Sequence, residues 1–198
     1  TKVKNNLDQY LDVLKFDYSD RPKLVHRLDK DTSGVMIIAR NLESAKFITK
    51  LFKERKIHKV YIAIVNGQLK SKNGILESDL FNNKKRLTSK THYKVIFSKK
   101  EFSILALKPI TGRKHQIRKQ LHQIGHSIVG DTKYYSHNTK AHDFFNNNMN
   151  LHALTISYNN INGELKKFTI PPNNLMENNF NKLNFNFKDF SKFSFFDF

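Results

Sequence analysis

Apolar and polar positions change their period along the chain, and the changes mark out its elements. Residues 1 to 21 are polar and charged with scattered apolar positions. Pro22 leads into Lys23, Leu24 and Val25, and a dense polar stretch then runs from His26 to Gly34, which predicts a strand feeding a loop. Val35 to Ala39 is an apolar run of strand length, and Asn41 offers an N-cap for a helix carrying Ala45, Phe47, Ile48, Leu51 and Phe52 that should end near Lys56. β-Branched and aromatic residues fill His58 to Val65, where Lys59, Tyr61, Ala63 and Val65 share one face, and Asn66-Gly67 supplies a turn. Thr91, Tyr93, Val95 and Phe97 alternate with His92, Lys94, Ile96 and Ser98; a second run from Phe102 to Leu107 completes an antiparallel pair through Ser98 to Glu101. Ile117, Leu121 and Ile124 recur at i, i+4 and i+7, one stripe of a helix stopped by Gly125, with His115, Arg118 and His122 on another face. Leu151 to Tyr158 and Leu165 to Ile170 flank the turn-prone Asn159 to Gly163, a hairpin closed by Pro171-Pro172. From Asn173 onward Asn, Lys and Phe dominate, including Phe193, Phe195, Phe196 and Phe198; a docked helix, an ordered aromatic cap and a frayed end all fit this tail. Strands outnumber helices, and no internal repeat is visible.

Composition narrows the chemistry. The 198 residues include 35 Lys plus Arg against 17 Asp plus Glu, a net charge of +18, and no cysteine. Such a length buries a core without staples, and zero cysteine removes zinc ribbons, thiol catalysis and disulfide scaffolds together. Hydrophobic content of 38% with no apolar run near 18 residues gives the expectation of a soluble, cytoplasmic protein with no membrane association. The excess positive charge implies a polyanionic partner, nucleic acid first, because cations that neutralise phosphates release condensed counterions.

Two clusters can carry chemistry. The first is His26-Arg27-Leu28-Asp29-Lys30-Asp31-Thr32-Ser33-Gly34 at a strand end. A carboxylate among cations is favoured in its charged form and can act as nucleophile or base; equally, Asp29 or Asp31 with Thr32 and Ser33 fits an Asx-turn or N-cap. The second is Gly112 to Lys119, where an Arg projected from a helix suits bidentate pairing with a carboxylate or phosphate, and where an ordinary solvated basic face is the alternative. His115, His122 and His126 invite a metal-dependent nuclease, but Gly125 should break the helix between the last two and no nearby carboxylate completes a three-ligand set, so no metal is expected. Tyr61 fits both a core tyrosine and a platform for an unstacked base.

The stretch HRLDKDTSG (His26 to Gly34) closely resembles the signature of the RluA family of RNA pseudouridine synthases. The resemblance continues through Lys59 to Gly67, Thr111 to Arg118 (TGRKHQIR), Gly125-His126, Val129-Gly130-Asp131 and Leu151-His152-Ala153, spanning residues 22 to 170. It implies an α+β fold with a mixed, largely antiparallel bent sheet, flanking helices and loops, and an RNA cleft across the middle. It also implies one catalytic domain over residues 1–198, working without metal or organic cofactor. By the same resemblance, Asp29 is the essential aspartate that starts cleavage of the glycosidic bond of a uridine, by attack on C1′ or by removal of a sugar proton. Arg118 is the arginine that ion-pairs with it, and Tyr61 stacks on the flipped uracil and helps remove the C5 proton. Arg27 reaches toward the space the base vacates, and Lys59, Arg113, His115 and Gln116 are expected to contact substrate.

The expected function is isomerisation of uridines in large-subunit ribosomal RNA by a monomer. Modification of transfer RNA, or a non-catalytic RNA-binding or ribosome-assembly role on the same fold, are the alternatives. The chain departs from the family pattern at Gln120, where His is common, and at Ser127, where Pro is common, and both sites are expected to be tolerant. It opens at Thr1, and residues 1 to 21 contain neither a recognisable S4 domain nor the Asn-Lys-Pro segment that usually precedes HRLD, which bears on RNA affinity more than on chemical competence.

Overall fold

The computed structural model describes residues 6–82, 85–135, 144–145 and 148–188. Among the described residues there are nine strands; β4 (His58–Asn66), on the predicted β-branched and aromatic run, and β7 (Phe102–Pro109), on the predicted run from Phe102, lie side by side in antiparallel register with Ile62 opposite Ala106. The seven-stranded sheet has the order β2 (Ser33–Gly34), β8 (Leu151–Asn159), β4, β7, β6 (Lys85–Lys99) and β5 (Asn73–Asn82), with β9 (Leu165–Thr169) on β8. Every pairing in it is antiparallel except β2 with β8. Register shifts at Val60/Tyr61 and Val95/Phe97 are the kind of irregularity that bends a sheet. The sheet is thus mixed and largely antiparallel, as the resemblance implied.

The two faces of the sheet bury different sets. Val60, Ile62, Ile64, Ile104, Ala106 and Leu154 pack with Met176, Phe180, Leu183 and Phe185 from the C-terminal region. There α3 (Asn174–Lys182) is capped by the Asn173 side chain, which accepts from the Met176 N–H. Of the three possibilities for the tail, a docked helix is realised here; Phe193, Phe195, Phe196 and Phe198 lie outside the described residues. On the other face Ala63, Val65, Leu105 and Leu107 meet Ile117 and Leu121 of α2 (Gln116–Gln123). A third cluster joins Ile48 and Leu51 of α1 (Leu42–Lys53) to Ile57 and Ile156.

Several boundaries differ from expectation for local reasons. The Asn41 cap forms as predicted, but α1 stops at Lys53 because Arg55 turns into the left-handed region. Ile124 was expected in the buried stripe of α2; it falls at the helix end and is exposed. The predicted strand over Val35 to Ala39 shrinks to β3 (Ile38–Ala39), paired with β1 (Lys23–Leu24), and β2 forms inside the expected loop. The close approach of β2 to β8 needs Gly34: its φ is +117°, and a Cβ there would strike the Ala153 backbone. Strand β5 had no strong pattern, since NGILESDLFN mixes Gly, Asn, Asp and Ser with its apolar residues; it forms because β6 offers a ten-residue register. None of the helices among the described residues is long and apolar enough to cross a membrane.

Candidate active site

The polar stretch after β1 folds back as a turn, closed by the Thr32 N–H donating to the Asp29 carbonyl with Asp31 at φ 68°. Asp tolerates this left-handed conformation better than most residues. The turn is therefore held by backbone and by Asp31, which leaves the Asp29 carboxylate without a local capping bond among the described residues. The flanks are pinned on both sides. Ser33 hydrogen-bonds His152 Nδ1 at 2.8 Å, His152 Nε2 meets the Ile170 carbonyl at 2.9 Å, and the Val35 N–H donates to Ala153. On the other side His26 Nε2 accepts the Ile37 N–H at 2.8 Å while its ring packs on Phe52 at 4.7 Å. Burial, assisted by the nearby Lys59 charge, pushes the His26 imidazole down to about 4, so it serves as a neutral acceptor.

A cleft of about 580 Å3 opens at this loop, lined among others by Arg27, Asp29, Lys59, Tyr61, Arg113 and Gln116. Lys59 and Tyr61 reach it from the face of β4 that carries Ala63 and Val65 further along. Burial pushes the Lys59 ammonium down, and no ion pair balances it among the described residues. Burial, with the Asp29 charge adding to it, pushes the Tyr61 phenol up to about 12. Thr32 Oγ1 and Arg113 Nε are buried without a hydrogen-bond partner among the described residues, and both residues line the cleft. The site therefore offers one carboxylate, an aromatic ring and several donors facing an open volume.

His115 and Arg118 stand behind Asp29. His115 is the N-cap of α2 at φ 54°, and its Nε2 lies 3.9 Å from an Asp29 carboxylate oxygen. Burial lowers the His115 pKa, with Asp29 opposing and Arg118, Lys133 and Lys114 adding to the fall. Arg118 departs from expectation. Its guanidinium pairs with Asp131, Nε to Oδ2 at 2.7 Å and Nη2 to Oδ1 at 2.8 Å, and makes no ion pair with Asp29. The reason is reach and rigidity: Asp131 is fully buried against α2 and already held by two backbone N–H groups, whereas Asp29 acts on Arg118 only through its charge.

Gln116 lines the cleft, as a substrate contact requires, while its polar atoms are bonded within the protein. Its oxygen accepts from the Thr111 hydroxyl and the Arg113 N–H, and its amide donates to the Lys90 carbonyl and Thr91 Oγ1. With both amide hydrogens used internally, it holds the 111–113 loop in place. Gln120, expected to be tolerant, is 2% exposed and bonds Thr91, Leu76 and Ser89, tying α2 to β5 and β6. Ser127, expected to be equally tolerant, is buried on His122 Nδ1. His126 Nδ1 goes to the Asn66 carbonyl, so the three histidines around α2 serve three different partners. Among the described residues no group of three potential metal ligands converges. Sequence reasoning missed Tyr134 and the roles of His26 and Asp131; both of the latter stood in recognised stretches, but nothing in the spacing named Ile37 or Arg118 as their partners.

Comparison with known proteins places this arrangement. The chain is 42% identical over 146 residues to ribosomal large subunit pseudouridine synthase D of Borreliella burgdorferi, covering 67% of this chain and 45% of that protein. It is 33% identical over 179 residues to an uncharacterised RNA pseudouridine synthase of Haemophilus influenzae, covering 85% and 78%. It thus spans less than half of the Borreliella relative. Human RNA pseudouridylate synthase domain containing 4 shares the fold with a TM-score of 0.74 at 23% identity, over 90% of this chain and 82% of that one. A sequence model described as RNA pseudouridylate synthase matches residues 2–123. With the match covering the Asp29 loop, β4 and all of α2, the chain belongs to the RNA pseudouridylate synthase family.

Proposed function

We propose that the chain isomerises uridine to pseudouridine in large-subunit ribosomal RNA, with Asp29 as the catalytic carboxylate. The observation that carries this is the placement of Asp29 in the cleft, free of local capping bonds, beside Tyr61 and Lys59 and in front of His115. Uracil has to leave C1′, turn and rejoin through C5, so one carboxylate must assist departure and hold the reactive sugar until the carbon bond forms. The base must first leave its stack, which costs a few kcal/mol. Arg27, which lines the cleft, is the cation we assign to the gap, and the Tyr61 ring is the platform we assign to the base.

The final step removes the C5 proton. With its phenol pushed up to about 12, Tyr61 enters that step neutral. Its oxygen can accept the C5 proton only as its own proton passes on, and Asp29 is the carboxylate whose charge it feels. The Lys59 ammonium and Arg113 Nε, both at the cleft, are donors for RNA oxygens, and the net charge of +18 makes binding steeply salt-dependent. The name of the Borreliella large-subunit relative favours ribosomal over transfer RNA. We read residues 1–198 as one catalytic unit acting as a cytoplasmic monomer.

The test is tritium release from a large-subunit rRNA transcript labelled at uracil C5. Asp29→Asn should lower release by about 1000-fold or more while leaving RNA retention on filters within about twofold. Undiminished release from Asp29→Asn would refute the assignment. Wild-type RNA binding without release would favour a binding protein on this fold.

A further inference from the structure

On the face of α2 that shows His115, Arg118 and His122, the Tyr134 ring lies against all three. It is 5.2 Å from the Arg118 guanidinium, edge-on to His115 at 5.6 Å and 6.3 Å from His122. What puts it there is Asp131, whose Oδ1 accepts the N–H groups of Lys133 and Tyr134 at 2.9 and 3.0 Å. The same carboxylate grips Arg118 at two points. Burial works to raise the Asp131 carboxyl, but Arg118 and the two N–H groups outweigh it and hold it below its ordinary value. One buried anion thus fixes both a cation and an aromatic ring.

From that anchor two arms run to Asp29. The first is Arg118, which spends two of its five N–H donors on Asp131 and projects its charge at Asp29. The second runs through Tyr134, whose hydroxyl is 3.1 Å from His115 Nδ1. With Nδ1 engaged, Nε2 is the nitrogen facing Asp29. Burial favours a neutral imidazole, which carries one proton, and a carboxylate neighbour draws that proton to Nε2. Tyr134 must then be the donor to Nδ1. His115 holds a left-handed backbone at φ 54°, uncommon outside glycine though less so for His, and its ring meets Tyr134 both by hydrogen bond and edge-on.

We infer that Asp131 and Tyr134 are positioning residues for Asp29: Asp131 orients the Arg118 guanidinium, and Tyr134 fixes His115 so that its Nε2–H faces the Asp29 carboxylate. The inference rests on the proposed role of Asp29. Neither residue lines the cleft, so each should act on turnover and its pH dependence rather than on RNA affinity.

The experiment pairs the tritium assay with imidazole 1H–15N spectra of the full chain, the His115 signal identified through His115→Gln. Wild type should show His115 as the Nε2–H tautomer. Tyr134→Phe should mix the tautomers, lower kcat about 10-fold, displace the acid limb of the kcat profile and leave KM within about twofold. Asp131→Asn should lower kcat about 100-fold at similar KM, with Asp131→Glu restoring part of it; where Asp131→Asn fails to fold, Tyr134→Phe carries the test. An Nδ1–H tautomer in wild type, or a Tyr134→Phe protein unchanged in tautomer and kcat, would overturn the inference. If wild type releases no tritium, the isomerase assignment fails, and the His115 tautomer with its response to Tyr134→Phe still decides the positioning.

Discussion

The two faces of β4 obey different rules. Val60, Ile62 and Ile64 point into a sealed apolar layer closed by Phe180 and Leu183. The opposite face starts as core at Val65 and Ala63, then becomes polar at Tyr61 and Lys59 where the strand runs beneath the cleft. One strand with one period therefore supplies both stability and chemistry, and adjacent residues should fail in different ways. The register shift at Val60/Tyr61, where Leu154 of β8 is passed over, falls beside the point where the Tyr61 face turns from core to cleft.

Substitutions on neighbouring positions can separate those roles. Ile62→Ala empties a fully buried site and should cost about 2–5 kcal/mol in denaturant unfolding, with kcat close to wild type at temperatures where the protein stays folded. A selective loss of kcat there would break the comparison. The loop that carries Asp29 gives an effect of similar size through pH. His26 is pushed down to about 4 when folded and titrates near 6.5 when unfolded, so the unfolded chain binds more protons between those values. Stability is then full above pH 6.5 and falls by up to about 3 kcal/mol as pH drops toward 4. His26→Asn should flatten that part of the slope in equilibrium unfolding measured across pH.

On the cleft face, Tyr61→Phe should leave stability within about 1 kcal/mol, because its ring still packs, and lower tritium release about 100-fold because the oxygen that takes the proton is gone. RNA retention should not change; a large loss of retention would move Tyr61 from proton transfer to binding. The smallest expected effect sharpens the comparison at a distance. Gln120→Ala removes a buried amide that ties α2 to β5 and β6, and should cost about 1–3 kcal/mol of stability, read from the unfolding midpoint, with kcat falling less than in Tyr61→Phe.

Much of this architecture was legible from order along the chain. Strict alternation over Thr91 to Ser98, the β-branched run from His58, the Asn41 cap and the Gly125 stop are local signals, and each element formed around them. The contents of the cleft were legible as well, since Arg27, Asp29, Lys59, Tyr61 and Arg113 all line it. Periodicity and motif order report which residues share a face, because backbone geometry alone sets that relation.

Pairings between distant segments were decided by packing. Arg118 meets Asp131 rather than Asp29 because a buried guanidinium takes the carboxylate held rigidly beside it, thirteen residues along the chain. Gln116 and Gln120 look like surface amides in a basic helix, yet both are consumed inside by β5, β6 and the 111–113 loop, and β5 itself exists only because β6 gives it hydrogen bonds. Nothing in spacing specifies such choices: a polar group has many acceptable partners in sequence, and only the assembled fold removes water from all but one of them.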